Sequence, residues 1–153
     1  EYADTRLADG LIWRLFHQLA IKRHIFGEAP NEAVVQHARE VEVPAALDYL
    51  EKQLPDDGFV FGALSIADIS LASFFRTASF VRYTIDAERW PLMAALVAQV
   101  QALPVFQKLA SFEDCMLRLP LAEQRGALIT AGAPLTSDTL GTSAPRPGPP
   151  RAS

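Results

Sequence analysis

The sequence predicts an all-α protein. Apolar residues recur at three- and four-residue spacing in one segment after another, no run alternates with the period of a strand, and prolines and cap residues stand where helices would begin. With 153 residues, 50% of them hydrophobic and 21% charged, the chain has material for one domain with a substantial core.

The first helix is expected over residues 1–26. Ala8, Ile12, Leu15 and Leu19 carry the helical spacing, and Leu11, Phe16 and Ala20 widen the stripe. Acids come early (Glu1, Asp4, Asp9) and bases late (Lys22, Arg23), as the helix dipole favours, and Gly27 suits the position just past the end. Gly10 is a mild blemish in it. A second helix is N-capped by Asn31 and carries Val34, Ala38, Val41, Ala45, Leu47 and Leu50, with a kink or two abutting helices expected at Pro44. Pro55-Asp56-Asp57-Gly58 is a turn, and a short apolar connection leads to "LSIADISLASFF". A fourth helix starts near Pro91 and a fifth at Pro104, both suited to a first helical turn, and a weaker last helix covers residues 121–131. The division expected is a helical domain over 1–132 and a Pro/Gly/Ser-rich tail over 133–153, largely disordered, since the final 20 residues hold five of the eleven prolines.

Composition narrows the function. A formal charge of −4 argues against a nucleic-acid partner, which requires a basic face. The single cysteine, Cys115, excludes an internal disulfide framework and fits a reducing, cytoplasmic setting. The longest uncharged run, residues 90–107, is broken by Pro91 and Pro104, so it reads as core helices and no membrane span is expected. His17, His24 and His37 lack metal-ligand spacing, so no metal is expected. Ser65 is flanked by Leu64 and Ile66 where a nucleophile elbow has glycines, and Cys115 reads as a bystander. No catalytic residue is assigned.

Ser65-Ile66-Ala67-Asp68 fits a capping box, with the Ser65 hydroxyl accepting from the Asp68 N–H and the Asp68 carboxylate returning to the Ser65 N–H. Leu64 and Ile69 stand where a hydrophobic staple would close. The helix that follows is almost wholly apolar, which marks it as a core element.

At these residues the chain resembles the C-terminal helical half of bacterial-type cytosolic glutathione transferases. The run "FGALSIADISLASFF" is similar to that family's capped, buried central helix. Arg89-Trp90-Pro91-Leu92 and Ala102-Leu103-Pro104-Val105-Phe106 are similar to its later helix entries, "YADTRLADGLIWRLF" to the helix after the interdomain linker, and "LAEQRGALITAGAPLTSDTLGT" to its closing segment. The resemblance implies a bundle of five or six helices, glutathione as co-substrate, and a homodimer. It also implies a thioredoxin-like N-terminal domain holding the sulfur-activating Ser, Tyr or Cys and most of the glutathione site, and no such pattern is found within the 153 residues. The chain without that domain is expected to be inactive, because conjugation needs a thiol held below its usual pKa of about 8.5.

The family's first helix in this domain faces the cleft and the dimer axis, which points to Tyr2, Arg6, Asp9 and Trp13 as pocket residues. Phe80 and Tyr83, after the buried helix, are further candidates; core packing explains such aromatics equally well. The function implied is the substrate-pocket and dimerisation half of a transferase that conjugates glutathione to electrophiles in detoxification. The competing reading is a non-catalytic helical interaction module of the same fold.

Overall fold

A computed structural model describes residues 2–135, so the tail predicted to be disordered lies outside the described residues from 136 onward. Among the described residues there are six helices and no strand. They are α1 (residues 2–24), α2 (32–51), α3 (Ile66–Ser79), α4 (Pro91–Gln101), α5 (Pro104–Leu117) and α6 (Leu121–Thr130). No single one of them is long and apolar enough to cross a membrane. The chain divides into two compact units, Glu1–Gln107 and Lys108–Ser153, with the boundary inside α5.

In the first unit, α1 is wound wide. Ala3–Leu7 and Asp9–Ile21 follow the i→i+5 hydrogen-bond pattern, and Lys22–His24 forms an ordinary α-turn at the end. The core stripe shifts accordingly. Leu7, Leu11 and Leu15, four residues apart, are fully buried, while Ile12 and Leu19 are half-buried at its flank. Gly27 has φ +65°, the left-handed geometry that a residue just past a helix end adopts.

Gly10 is no blemish. A Cβ at that position would stand 2.6 Å from Val43 Cγ2, so glycine is what lets α1 and α2 approach. Pro44 does not end α2, but it stands where helical segments of different winding abut, as expected. The chain runs helically from 32 to 51, but Ala38–Glu42 widens to i→i+5 bonding just before Val43–Glu51 resumes α-geometry with Pro44 in its first turn. A proline ring clashes with the carbonyl four residues back and offers no N–H, and the widened turn relieves both problems. It also rotates the face. Val43, Ala46, Leu47 and Leu50 are buried, whereas Val41 and Ala45, read as core from their spacing, are exposed.

The core helix α3 packs against α4 and α1, burying Leu71, Ala72, Phe75 and Ala78. Its N-terminus carries the Ser65–Asp68 capping box. Leu64 and Ile69, the expected staple, are 44% and 39% exposed, so the box is held by its hydrogen bonds with little apolar burial. At the other end, the Arg82 N–H donates to Ser79 O at 3.1 Å and the Tyr83 N–H to Ala78 O at 3.2 Å. This is a Schellman motif with Arg82 at the left-handed position (φ +60°), a seat usually given to glycine.

The start of α4 is capped from another helix. Trp90 at the N-cap offers no side-chain bond and Pro91 has no N–H, so the next two amides need partners. Glu51 of α2 accepts from both, Leu92 N–H at 2.7 Å and Met93 N–H at 2.9 Å. One turn earlier, Asp48 accepts from Trp90 Nε1–H at 2.7 Å and pairs with Arg89 at 3.0 Å. The Trp90 hydrogen bond is the largest influence on the Asp48 carboxyl; burial opposes it, and the Arg89 hydrogen bond and charge help to hold the group below its ordinary value.

In the second unit, Gln124 Nε2 of α6 donates to Met116 O at 2.8 Å and Leu119 O at 3.1 Å, tying down the carbonyls where α5 ends. Helix α6 stops at another Schellman motif, with Gly132 at φ +75° and the Ala133 N–H donating to Leu128 O.

Candidate functional site

The polar face of α1 opens onto a cleft of about 480 Å³ shared with α2. Tyr2, Arg6, Gly10 and Arg14 form one wall at intervals of four, with Asp9 beside them, and Val41, Glu42, Ala45 and Ala46 form the other. The lining therefore carries two arginines and two carboxylates over a floor of small apolar groups. Tyr2 stacks on Tyr49 of α2, ring centroids 4.3 Å apart and tilted by 32°.

Charge in the cleft is arranged around Arg14. Its Nε faces Glu42 Oε2 at 3.0 Å and its Nη2 lies 3.8 Å from Asp9 Oδ2. The Arg14 Nε and Glu42 Oε2 atoms are buried yet lack hydrogen-bond geometry, so their contact is electrostatic. His37 Nε2 approaches the other Glu42 oxygen at 3.7 Å. Arg6 is exposed and makes no ion pair among the described side chains.

Of the residues singled out from sequence, Tyr2, Arg6 and Asp9 come together here. Trp13 does not join them. It is 62% exposed, with its ring 6.0 Å from that of His17. Seven residues make two turns of an α-helix, which would align Trp13 with Arg6, but in the wide winding of α1 seven residues fall short of two turns. Tyr83 lies elsewhere, in a groove between α3 and α4, and Phe80 sits under the Arg76 guanidinium at 4.6 Å. The cleft residues that sequence reasoning missed are Gly10, Arg14 and Glu42. The signal for two of them was the strict four-residue interval Tyr2, Arg6, Gly10, Arg14.

Asp68 belongs to the scaffold. It is fully buried, its Oδ2 accepts from Ser65 N–H at 2.8 Å and from the Ser65 hydroxyl at 2.6 Å, and its Oδ1 accepts from Val60 N–H at 2.8 Å. Burial pushes its pKa up, and the hydrogen bonds from the Ser65 hydroxyl, the Val60 N–H and the Ser65 N–H outweigh that and hold it below the ordinary value. Fully buried and with both oxygens held by hydrogen bonds, it is a structural acceptor. Among the described residues no group of three or more His, Cys, Asp or Glu side chains is gathered as for a metal ion.

An all-helical unit built around a capped, buried third helix, with a mixed-charge cleft along its first helix, is the class that fold and site define. Residues 4–99 match the family model described as "Glutathione S-transferase, C-terminal domain", which is well over half of the chain, and the chain belongs to that family. No curated protein and no solved structure matches it.

Proposed function

We propose that this chain is the substrate-pocket and dimerisation half of a cytoplasmic glutathione transferase. Joined to a thioredoxin-like domain, it would conjugate the glutathione thiolate to small electrophiles and act as a homodimer. The observation that carries this reading is the α1–α2 cleft, where Tyr2, Arg6, Asp9 and Arg14 surround a space large enough for a small molecule. In this reading Arg6 meets a carboxylate of glutathione, Asp9 stands near its amine, and the Tyr2 ring with Val41 and Ala45 forms the apolar wall towards the electrophile. In this reading the thiolate is generated in the thioredoxin-like domain, where the resemblance places the sulfur-activating Ser, Tyr or Cys.

The test compares the 153-residue chain with the protein expressed together with whatever its coding sequence specifies upstream of Glu1. The chain alone should not conjugate a model electrophile above the uncatalysed rate. The extended protein should, and Arg6→Ala in it should raise KM for glutathione about tenfold with kcat nearly unchanged, the signature of lost ground-state binding. An upstream segment with no thioredoxin-like half, or turnover by the chain alone, would overturn the proposal. The first of these outcomes would favour the interaction-module reading.

A further inference from the structure

We propose that the groove between α3 and α4 is a second binding site, one that takes a single-ring aromatic carboxylate. The groove has a volume of about 240 Å³ and is lined by Phe75, Tyr83, Ile85, Val97, Ala98 and Gln101, among others. It shares no lining residue with the α1–α2 cleft. Pockets for drug-sized molecules run from roughly 300 Å³ upward, so this one suits a single ring with a short substituent.

Three features fix the chemistry of the occupant. The walls are flat and apolar: Phe75 and Tyr83 lie nearly parallel, 29° apart with centroids 6.4 Å apart, and Ala98 leaves space where a larger side chain would fill the groove. The Tyr83 hydroxyl has no hydrogen-bond partner among the described residues, although a partly buried phenol normally finds one. A phenol is already protonated at neutral pH, and burial raises this one further, to about 12, so it is available there as a donor.

Positive charge reaches the Tyr83 hydroxyl. Arg39 lays its guanidinium against Val81 O at 3.5 Å, two residues before Tyr83, and both Arg39 and Arg89 act electrostatically on the Tyr83 hydroxyl. Arg82, exposed beside it, makes no ion pair among the described residues. Two of the nearby acids are engaged, and a third, Glu88, is exposed. Asp48 holds Arg89 and Trp90, and Asp86 accepts from the Glu88 and Arg89 backbone N–H groups. A carboxylate at the Tyr83 end therefore meets a donor and a positive field, while its ring lies over Ala94 and Ala98, with the buried Phe75 and Val97 beneath.

Benzoate and benzamide are the probes, followed by ligand-observed NMR titration and by chemical-shift mapping on the protein. Benzoate should bind saturably, with shifts centred on Tyr83, Ile85 and Ala98, and benzamide should bind at least fivefold more weakly. Tyr83→Phe should weaken benzoate at least about tenfold, as loss of one hydrogen bond to a charged acceptor implies. Ala98→Leu, which fills the groove, should abolish binding, and Arg6→Ala in the separate cleft should leave it unchanged. Absence of saturable benzoate binding, equal affinity for benzamide, or unchanged affinity in Tyr83→Phe would each overturn the site. Should Ala98→Leu fail to fold, Tyr83→Phe and the shift map decide the matter.

Discussion

Replacing Asp68 is the sharpest test of how this fold is held. The carboxylate takes three hydrogen bonds, from Val60 N–H, Ser65 N–H and the Ser65 hydroxyl, all between 2.6 and 2.8 Å. Asp68→Ala strands all three donors. Val60 and Ser65 are only half-buried, so water can partly replace the lost acceptor and each donor should cost about 1 kcal/mol, the low end for such groups. The sum is about 3 kcal/mol, read in urea as a midpoint shift of roughly 1–3 M with the m-value unchanged. Asp68→Asn keeps the volume and one acceptor oxygen but turns an amide N–H towards a donor, so about 1–2 kcal/mol should be lost. Ser65→Ala should cost about 1 kcal/mol alone and much less in the Asp68→Ala background, because the partners are then already separated. The sign of the pH dependence follows from the depressed pKa. The carboxylate's contribution is fully present above the unfolded value of about 3.9 and is lost as pH falls through the lower folded value. The gap between the native protein and Asp68→Asn should therefore be constant above about pH 5 and close below about pH 4. If Asp68→Ala lies within about 0.5 kcal/mol of the native protein at pH 7, or the gap persists unchanged into acid, the reasoning fails.

Three further substitutions probe other joints of the fold. Glu51→Ala leaves the Leu92 and Met93 amides without their acceptor and should destabilise by about 2–4 kcal/mol in a urea titration, with Glu51→Gln recovering part of that; a neutral Glu51→Ala would show that the cross-helix cap does not matter. Gly10→Ala sets a Cβ against Val43 Cγ2, whose β-branched side chain cannot easily rotate away. About 1 kcal/mol of net loss is expected, and the cost should vanish in a Val43→Ala background. Arg82→Gly relieves the left-handed strain at the end of α3. It should melt higher than Arg82→Ala by about 3 °C, and equal melting temperatures would show that no strain is stored there.

Much of this fold is legible in the sequence where the cause is local. The Ser65–Asp68 box needs only residues three apart, and Gly27 and Pro91 announce a helix end and a helix start by their own backbone chemistry. What pairs residues from different elements is not legible. Nothing near Leu92 says that its amide will be met by Glu51, 41 positions earlier, and nothing near Asp68 names Val60 as a third donor. The conformation of Arg82 was hidden for the opposite reason: the left-handed seat is usually announced by glycine, and here it is not.

The winding of α1 was hidden in plain sight. Leu7, Leu11, Leu15 and Leu19 repeat at intervals of four, and so do Tyr2, Arg6, Gly10 and Arg14. An α-helix lets a four-residue repeat drift around its surface, so the eye accepts intervals of three as well and places Trp13 with Arg6. In the wider helix the two series become two separate stripes, the leucines against the core and the other series along the cleft. Gly10 belongs to the second stripe and is also the point where α1 touches Val43. A side chain there would both fill the cleft and push α2 away. The residue that breaks the rules of helix propensity is thus the one that makes room for the site.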